Sequence, residues 1–191
     1  MTRLTRLCRA VGVCLAAATA TLAMTQVANA APAPPTLPDT AKNIAVDAAT
    51  NKVFLVGHVL KGAGVQIYKC VGTGWVFDAP SATLSADNDK NIVEHGRGPT
   101  WTATDGSTVG GTVLQRAIVD PTAIPWLKLQ AVSPTAGPDG DRLAHTTFIQ
   151  RVNTVGGLQP AGTCDPTVTP EARVPYQADY YFWKATGPGA P

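Results

Sequence analysis

The chain has 191 residues, with 15 Lys and Arg against 13 Asp and Glu, a formal net charge of +2. A balance this mild, with no Lys/Arg cluster, excludes the electrostatic footprint of a nucleic-acid binder and the basic amphipathic helix of a membrane-surface protein. Arg3, Arg6 and Arg9 supply the excess, and without them the chain stands near neutrality, at about −1.

Those arginines open a short leader. An apolar run over 11–24 follows, then the small residues Ala28, Asn29 and Ala30. This is the grammar of a secretory signal peptide cleaved after residue 30. The apolar run is too short and too Ala-rich for a transmembrane helix. Val13 is too large for the residue a lipoprotein signal requires before Cys14. The expected product is therefore secreted, extracellular and free of the membrane. It comprises a Pro-rich linker over 31–40 and a single β domain over 41–191.

Cys8 and Cys14 leave with the signal, so Cys70 and Cys164 remain. Two cysteines in an exported chain most simply form one disulfide. Joint metal ligation is the alternative, but neither belongs to a CxxC or has a histidine nearby.

Beyond the linker, the pattern predicts short strands separated by Gly, Pro, Asn and Asp. Runs over 53–60 and 65–71 are followed by 75–77, which Asp78 and Pro80 are expected to stop. A short strand is expected over 92–95, with a break at 96–99. Segments 101–104 and 107–113 flank Asp105-Gly106, the strongest hairpin signal in the chain. Gly110-Gly111 suggests a bulge before 113–119. Over 124–132 the residues alternate, with Leu127, Leu129 and Ala131 on one face and Trp126, Lys128 and Gln130 on the other. Runs over 143–155 and 180–183 complete the set. No stretch carries an apolar stripe at helical spacing. The expected fold class is all-β, a single-domain antiparallel sandwich or barrel closed by one disulfide.

Several segments resemble one family. They are GVQIYKC (64–70), GWVFDAPSATL (74–84), HGRGPTWTATDGSTVGG (95–111), IPWLKLQA (124–131), FIQRVNTVGG (148–157), CDP (164–166) and VPYQADYYFW (174–183). In this order they are similar to exported proteins grouped as domain of unknown function 3455. The resemblance implies an extracellular single domain and carries over no activity. After His95 the chain departs from the family pattern, placing Gly96 and Arg97 where an aromatic residue or Ala is usual.

Chemistry is sparse. Gly62-Ala63-Gly64 lacks the third glycine of a dinucleotide fingerprint and leads into a β-run. There is no GxSxG elbow. The histidines His58, His95 and His145 lack zinc-site spacing, and Asp87-Asn88-Asp89 opens like a calcium loop without its glycine and terminal Glu. No cofactor and no metal are expected. His95, read as lying in a loop, is the best functional candidate, since loops on a rigid sheet commonly carry sites. Trp101 and Asp105 are expected to hold that loop in shape. Trp126, on the polar face of its strand, is a candidate stacking platform; Arg151 and Asn153, read as sharing a face, are candidate ligand contacts. The favoured function is an extracellular domain binding a carbohydrate or small molecule. A hydrolase using His95 and a carboxylate is the alternative, and a structural or cell-surface interaction protein is the third.

Overall fold

A computed structural model describes residues 30–86 and 90–188. The expected signal peptide, over 1–29, and the Asp87-Asn88-Asp89 triplet lie outside the described residues.

A six-residue 3-10 helix, Asp39–Ile44, opens the fold. Nine strands follow: β1 (Asn51–Val59), β2 (Gly64–Val71), β3 (Gly74–Ser85), β4 (Asn91–Gly96), β5 (Thr100–Ala103), β6 (Thr108–Ala117), β7 (Trp126–Thr135), β8 (Phe148–Gly156) and β9 (Glu171–Ala185). Two of them correct the sequence expectation. Strand β3 runs through Asp78 and Pro80, because there it pairs only with β2 while β4 joins it from Ala82 onward. At such an edge position the missing proline N–H breaks no ladder bond. Strand β9 starts well before residue 180 and contains Pro175 at a similar place in its ladder with β2.

Every pairing is antiparallel, and the sheet closes on itself. From β3 the ladder runs through β2, β9, β8, β7, β6, β5 and β4, and a β3–β4 pairing completes the ring. The long β9 makes closure possible. Its residues 171–175 pair with β2 and its residues 178–185 pair with β1, so β1 and β2 share one place in the ring. Of the two expected architectures, the barrel is the one formed. With nine strands and two sharing a place, its girth matches that of barrels wide enough to hold side chains or one small ligand.

Alternation decides what points inward. Tyr176, Ala178, Tyr180 and Phe182 of β9 are all buried, as are Trp101 and Ala103 of β5 and Leu127 and Leu129 of β7; all belong to one interior cluster. Gly111 serves this packing directly: a Cβ there would lie 2.9 Å from the Trp101 ring. One end of the barrel is plugged by the β7–β8 connection, whose Leu143 is wholly buried in the interior cluster. Leu143 N–H donates to Ser107 Oγ at 3.0 Å, and Arg142 N–H donates to Asp105 Oδ2 at 2.8 Å, which tie the plug to the β5–β6 turn.

A second, smaller cluster lies on the outside. The 3-10 helix lays Ala41 and Ile44 over Ala117, Trp126 and Val152. Gln150 Nε2 donates to the Ile44 carbonyl at 2.7 Å, and Trp183 Nε1 donates to Gln150 Oε1 at 2.8 Å.

The β5–β6 turn invites a direct test. Gly106 has φ +79°, and a Cβ there would lie 2.5 Å from Pro138 Cδ. Gly106→Val should destabilise the barrel by about 1–3 kcal/mol through left-handed strain alone, with the clash adding to it. Thermal unfolding would register it, and a melting temperature equal to wild type would show that the turn is not a determinant.

Candidate functional site

The other end of the barrel stays open, onto a cavity of about 600 Å³. Apolar walls come from Val113, Ile124, Leu127 and Leu129; Phe77, Arg97, Arg116 and Gln159 stand among the lining residues with exposed side chains. Deeper in are Gln66, Tyr68, His95, Trp101 and Tyr180, all buried, with the half-buried Arg151.

His95 lies in β4 and is 5% exposed, which corrects its reading as a loop residue. The strand ends at Gly96, and residues 97–99 make only a tight connection to β5. The imidazole stacks on Trp101 at 4.3 Å and meets the edge of Tyr180 at 5.2 Å. Its Nδ1 lies 2.9 Å from the Thr100 carbonyl. A carbonyl only accepts, so Nδ1 carries the proton and Nε2 is left as an acceptor. Burial pushes the ring down to about 3, and the Arg151 charge adds to this against the Thr100 hydrogen bond. His95 is therefore neutral at ordinary pH.

Among the described residues, two further buried polar groups have no partner in hydrogen-bond geometry: Gln66 Nε2 and Trp101 Nε1. The Gln66 amide approaches the Tyr176 hydroxyl, yet its Nε2 stops short of hydrogen-bond geometry. Buried N–H groups left unmatched cost on the order of 1–3 kcal/mol each, so two at one cavity call for an explanation. Arg151 adds a third demand. Its Nε and Nη2 both donate to the Pro125 carbonyl, at 3.3 and 2.8 Å, and among the described residues no carboxylate pairs with it. The acid lining the cavity, Asp78, is held by Arg97 through Nη1–Oδ1 and Nη2–Oδ2 contacts of 2.5 and 2.6 Å. That hydrogen bonding draws the Asp78 carboxyl below its usual range.

The structure thus brings together His95, Trp101 and Arg151 among the residues the sequence nominates. It separates the others. Asp105 lies at the opposite end of β5, where its carboxylate accepts from Ser107 N at 3.0 Å, Ser107 Oγ at 2.6 Å and Arg142 N. It is a turn residue. Trp126 does face away from Leu127 and Leu129, but that face is covered by the 3-10 helix, so its ring is a core element and offers no stacking platform. Asn153 does not share a face with Arg151. A bulge between Val152 and Val155 gives it φ 51°, and its Nδ2 donates to Asp179 Oδ2 at 2.7 Å, beside the His58–Asp179 pair.

Among the described residues, no carboxylate is hydrogen-bonded to His95. Glu94, one residue before it, projects to the opposite face and accepts from Thr83 Oγ1 at 3.0 Å. His145 is exposed, 3.4 Å from Asp141. Among the described residues, no three His, Cys, Asp or Glu side chains cluster as metal ligands would.

Sequence reasoning missed Gln66, Tyr68 and Arg116. Gln66 carried a usable signal, for it shares a strand face with Gly64, Tyr68 and Cys70 and is the only amide among them. The disulfide secures this side of the mouth. Cys70 at the end of β2 is bonded to Cys164 in the β8–β9 connection, the segment that also supplies Gln159 to the lining. Tyr68 Oη donates to Gly157 O at 2.6 Å and fixes the start of the same segment.

No curated protein and no solved structure matches the chain. A family model does match, over residues 48–184, which takes in all nine strands of the barrel but the last residue of β9. The chain belongs to the family described as Protein of unknown function (DUF3455).

Proposed function

We propose that the protein binds a small organic molecule inside its barrel and is exported to do so. The observation that carries this is the coincidence of an open cavity with a buried Trp101 Nε1–H and Gln66 amide, neither in hydrogen-bond geometry with a partner among the described residues, although the amide approaches the Tyr176 hydroxyl. The cavity's volume lies within the range of about 300–1,000 Å³ typical of small-molecule sites, and its mix of apolar wall and few polar groups is theirs too. Export is supported by the leader's composition and by a disulfide of the kind kept in oxidising compartments. Hydrolysis by His95 and a carboxylate finds no support in this geometry, and a sugar would find few paired donors and acceptors along the apolar wall.

Val113→Trp adds bulk to the apolar wall of the cavity from β6 and leaves the buried polar residues themselves unchanged. In calorimetric titrations with small aromatic and aliphatic compounds, wild type should bind some with saturable one-to-one stoichiometry. The variant, checked by circular dichroism for an intact barrel, should bind them at least about tenfold more weakly. Equal affinity in the two proteins, or no saturable binding by any compound, would overturn the reading.

A further inference from the structure

Taking the cavity as a binding site, we infer that its ligand is a small monocarboxylate with an apolar or aromatic body, whose carboxylate is held by Arg151. The polar groups that lack partners are almost all donors. Trp101 Nε1–H can only donate, the unpartnered atom of Gln66 is its NH₂, and Arg151 is donor-only. A carboxylate is the complementary group, acceptor-only with about four lone-pair sites. A neutral alcohol brings a donor of its own and a single oxygen, and so offers these donors fewer acceptor sites than a carboxylate does.

Charge points the same way. Arginines 97, 116 and 151 line the cavity against Asp78 alone. Arg97 and Asp78 neutralise each other. Among the described residues, neither Arg116 nor Arg151 is paired with a carboxylate; Arg116 is exposed, and only Arg151 is half-buried. Its field reaches Tyr68, His95 and Tyr176, which places the guanidinium among the deep groups. A half-buried cation without a counter-charge is costly, and a bound anion relieves that cost. Pro125 O already engages Nε and Nη2, so the guanidinium is oriented before a ligand arrives, and Nη1 remains to donate.

The body of the ligand follows from the walls. Val113, Ile124, Leu127 and Leu129 present hydrocarbon, and Tyr180 adds a ring. One deep cation and two neutral N–H groups suit a single negative charge. A phosphate dianion is usually met by a cluster of arginines or a helix N-terminus, and this interior has neither.

The test uses three ligands with one body: 2-naphthoate, 2-naphthalenemethanol and 2-naphthyl phosphate, each titrated calorimetrically at pH 7. Wild type should bind the carboxylate roughly tenfold or more tighter than the alcohol. Arg151→Met should erase that preference while leaving the affinity for the alcohol within about threefold. The wild-type comparison needs no variant, so the inference stays exposed if Arg151→Met fails to fold. An alcohol that binds as tightly as the acid, a phosphate that binds more tightly than the acid, or a preference that survives Arg151→Met would each overturn the carboxylate assignment and leave the cavity reading standing. If neither acid nor alcohol binds, or Val113→Trp binds both as well as wild type does, the cavity reading falls and the assignment falls with it.

Discussion

Reducing the bond between Cys70 and Cys164 should remove about 4–5 kcal/mol of folding free energy, a third or more of what a domain of this size usually possesses. The two cysteines are 94 residues apart, and a cross-link of that span withholds a large amount of loop-closure entropy from the unfolded chain. Little of the effect should come from the native ladders. Cys70 N–H already donates to Pro170 O at 3.0 Å, and Cys164 N–H donates to Thr73 O at 3.1 Å, so the backbone holds the same approach without the sulfurs. Urea unfolding with and without a thiol reductant measures the difference, and a Cys70→Ala/Cys164→Ala double variant should reproduce the reduced midpoint. With a slope of about 1–3 kcal/mol/M, the midpoint should fall by roughly 2 M. A shift worth less than about 1 kcal/mol would mean that the unfolded chain is already constrained in another way. Intact mass of protein recovered from the culture medium checks the premise: the expected species starts at Ala31 and gains two hydrogens on reduction.

The all-β class was legible because strand alternation and turn chemistry are local. Asp105-Gly106 is an example: the pair marks the β5–β6 turn, although that turn is a loop over 104–106 closed by Ala103 and Ser107 and not the two-residue hairpin the pair suggests, with Gly106 at φ +79°. Barrel closure was not legible. It depends on one strand, β9, serving both β1 and β2, with Ala185 paired to Asn51 and Pro175 to Val65. Nothing within β9 specifies partners so far away. Pro80 misled for a related reason, since a proline is excluded from a strand only where both neighbours need its N–H.

The candidate site divides along the same line. His95, Trp101 and Arg151 stood out by residue type, and the barrel gathers them. Their burial could not be read, because Gly96, Gly98 and Pro99 look the same in an exposed loop and in a tight turn that ends a strand. Trp126 was assigned to the correct side of its strand, away from Leu127 and Leu129. The error lay in equating the outer face with solvent, when residues 39–44 fold back over it. Asn153 fails through geometry alone: one bulge reverses which face follows Arg151. Gln66 shows what a stricter reading would gain, since an amide on the buried face of an alternating strand must find a partner or serve a ligand.

Acid should expose the cost of burying His95. In the unfolded chain its pKa is the ordinary 6.5, and in the barrel it is lowered to about 3. Between those values the unfolded state binds the proton and the native state does not, so stability rises with pH across this window. The contribution is complete above about pH 6.5 and is lost as pH falls toward 3. The slope approaches 1.4 kcal/mol per pH unit once the unfolded histidine is mostly protonated. Carboxylates with lowered pKa values, such as Glu171 and Asp165, add their own losses below about pH 4.5. His95→Gln separates the two effects, because the carboxylates are common to both proteins. At pH 7 the variant should be less stable by about 1–2 kcal/mol, having lost the stack on Trp101. Between pH 6 and pH 4.5 wild type should then lose about 2 kcal/mol more than the variant, so the two stability curves converge and cross. Urea midpoints at half-unit pH steps follow this directly. Parallel curves through that window would place His95 in contact with water and return it to the mouth of the cavity. Convergence would mean that the imidazole stays neutral wherever the protein is folded, so that the charge a ligand meets deep in the barrel is set by Arg151 alone.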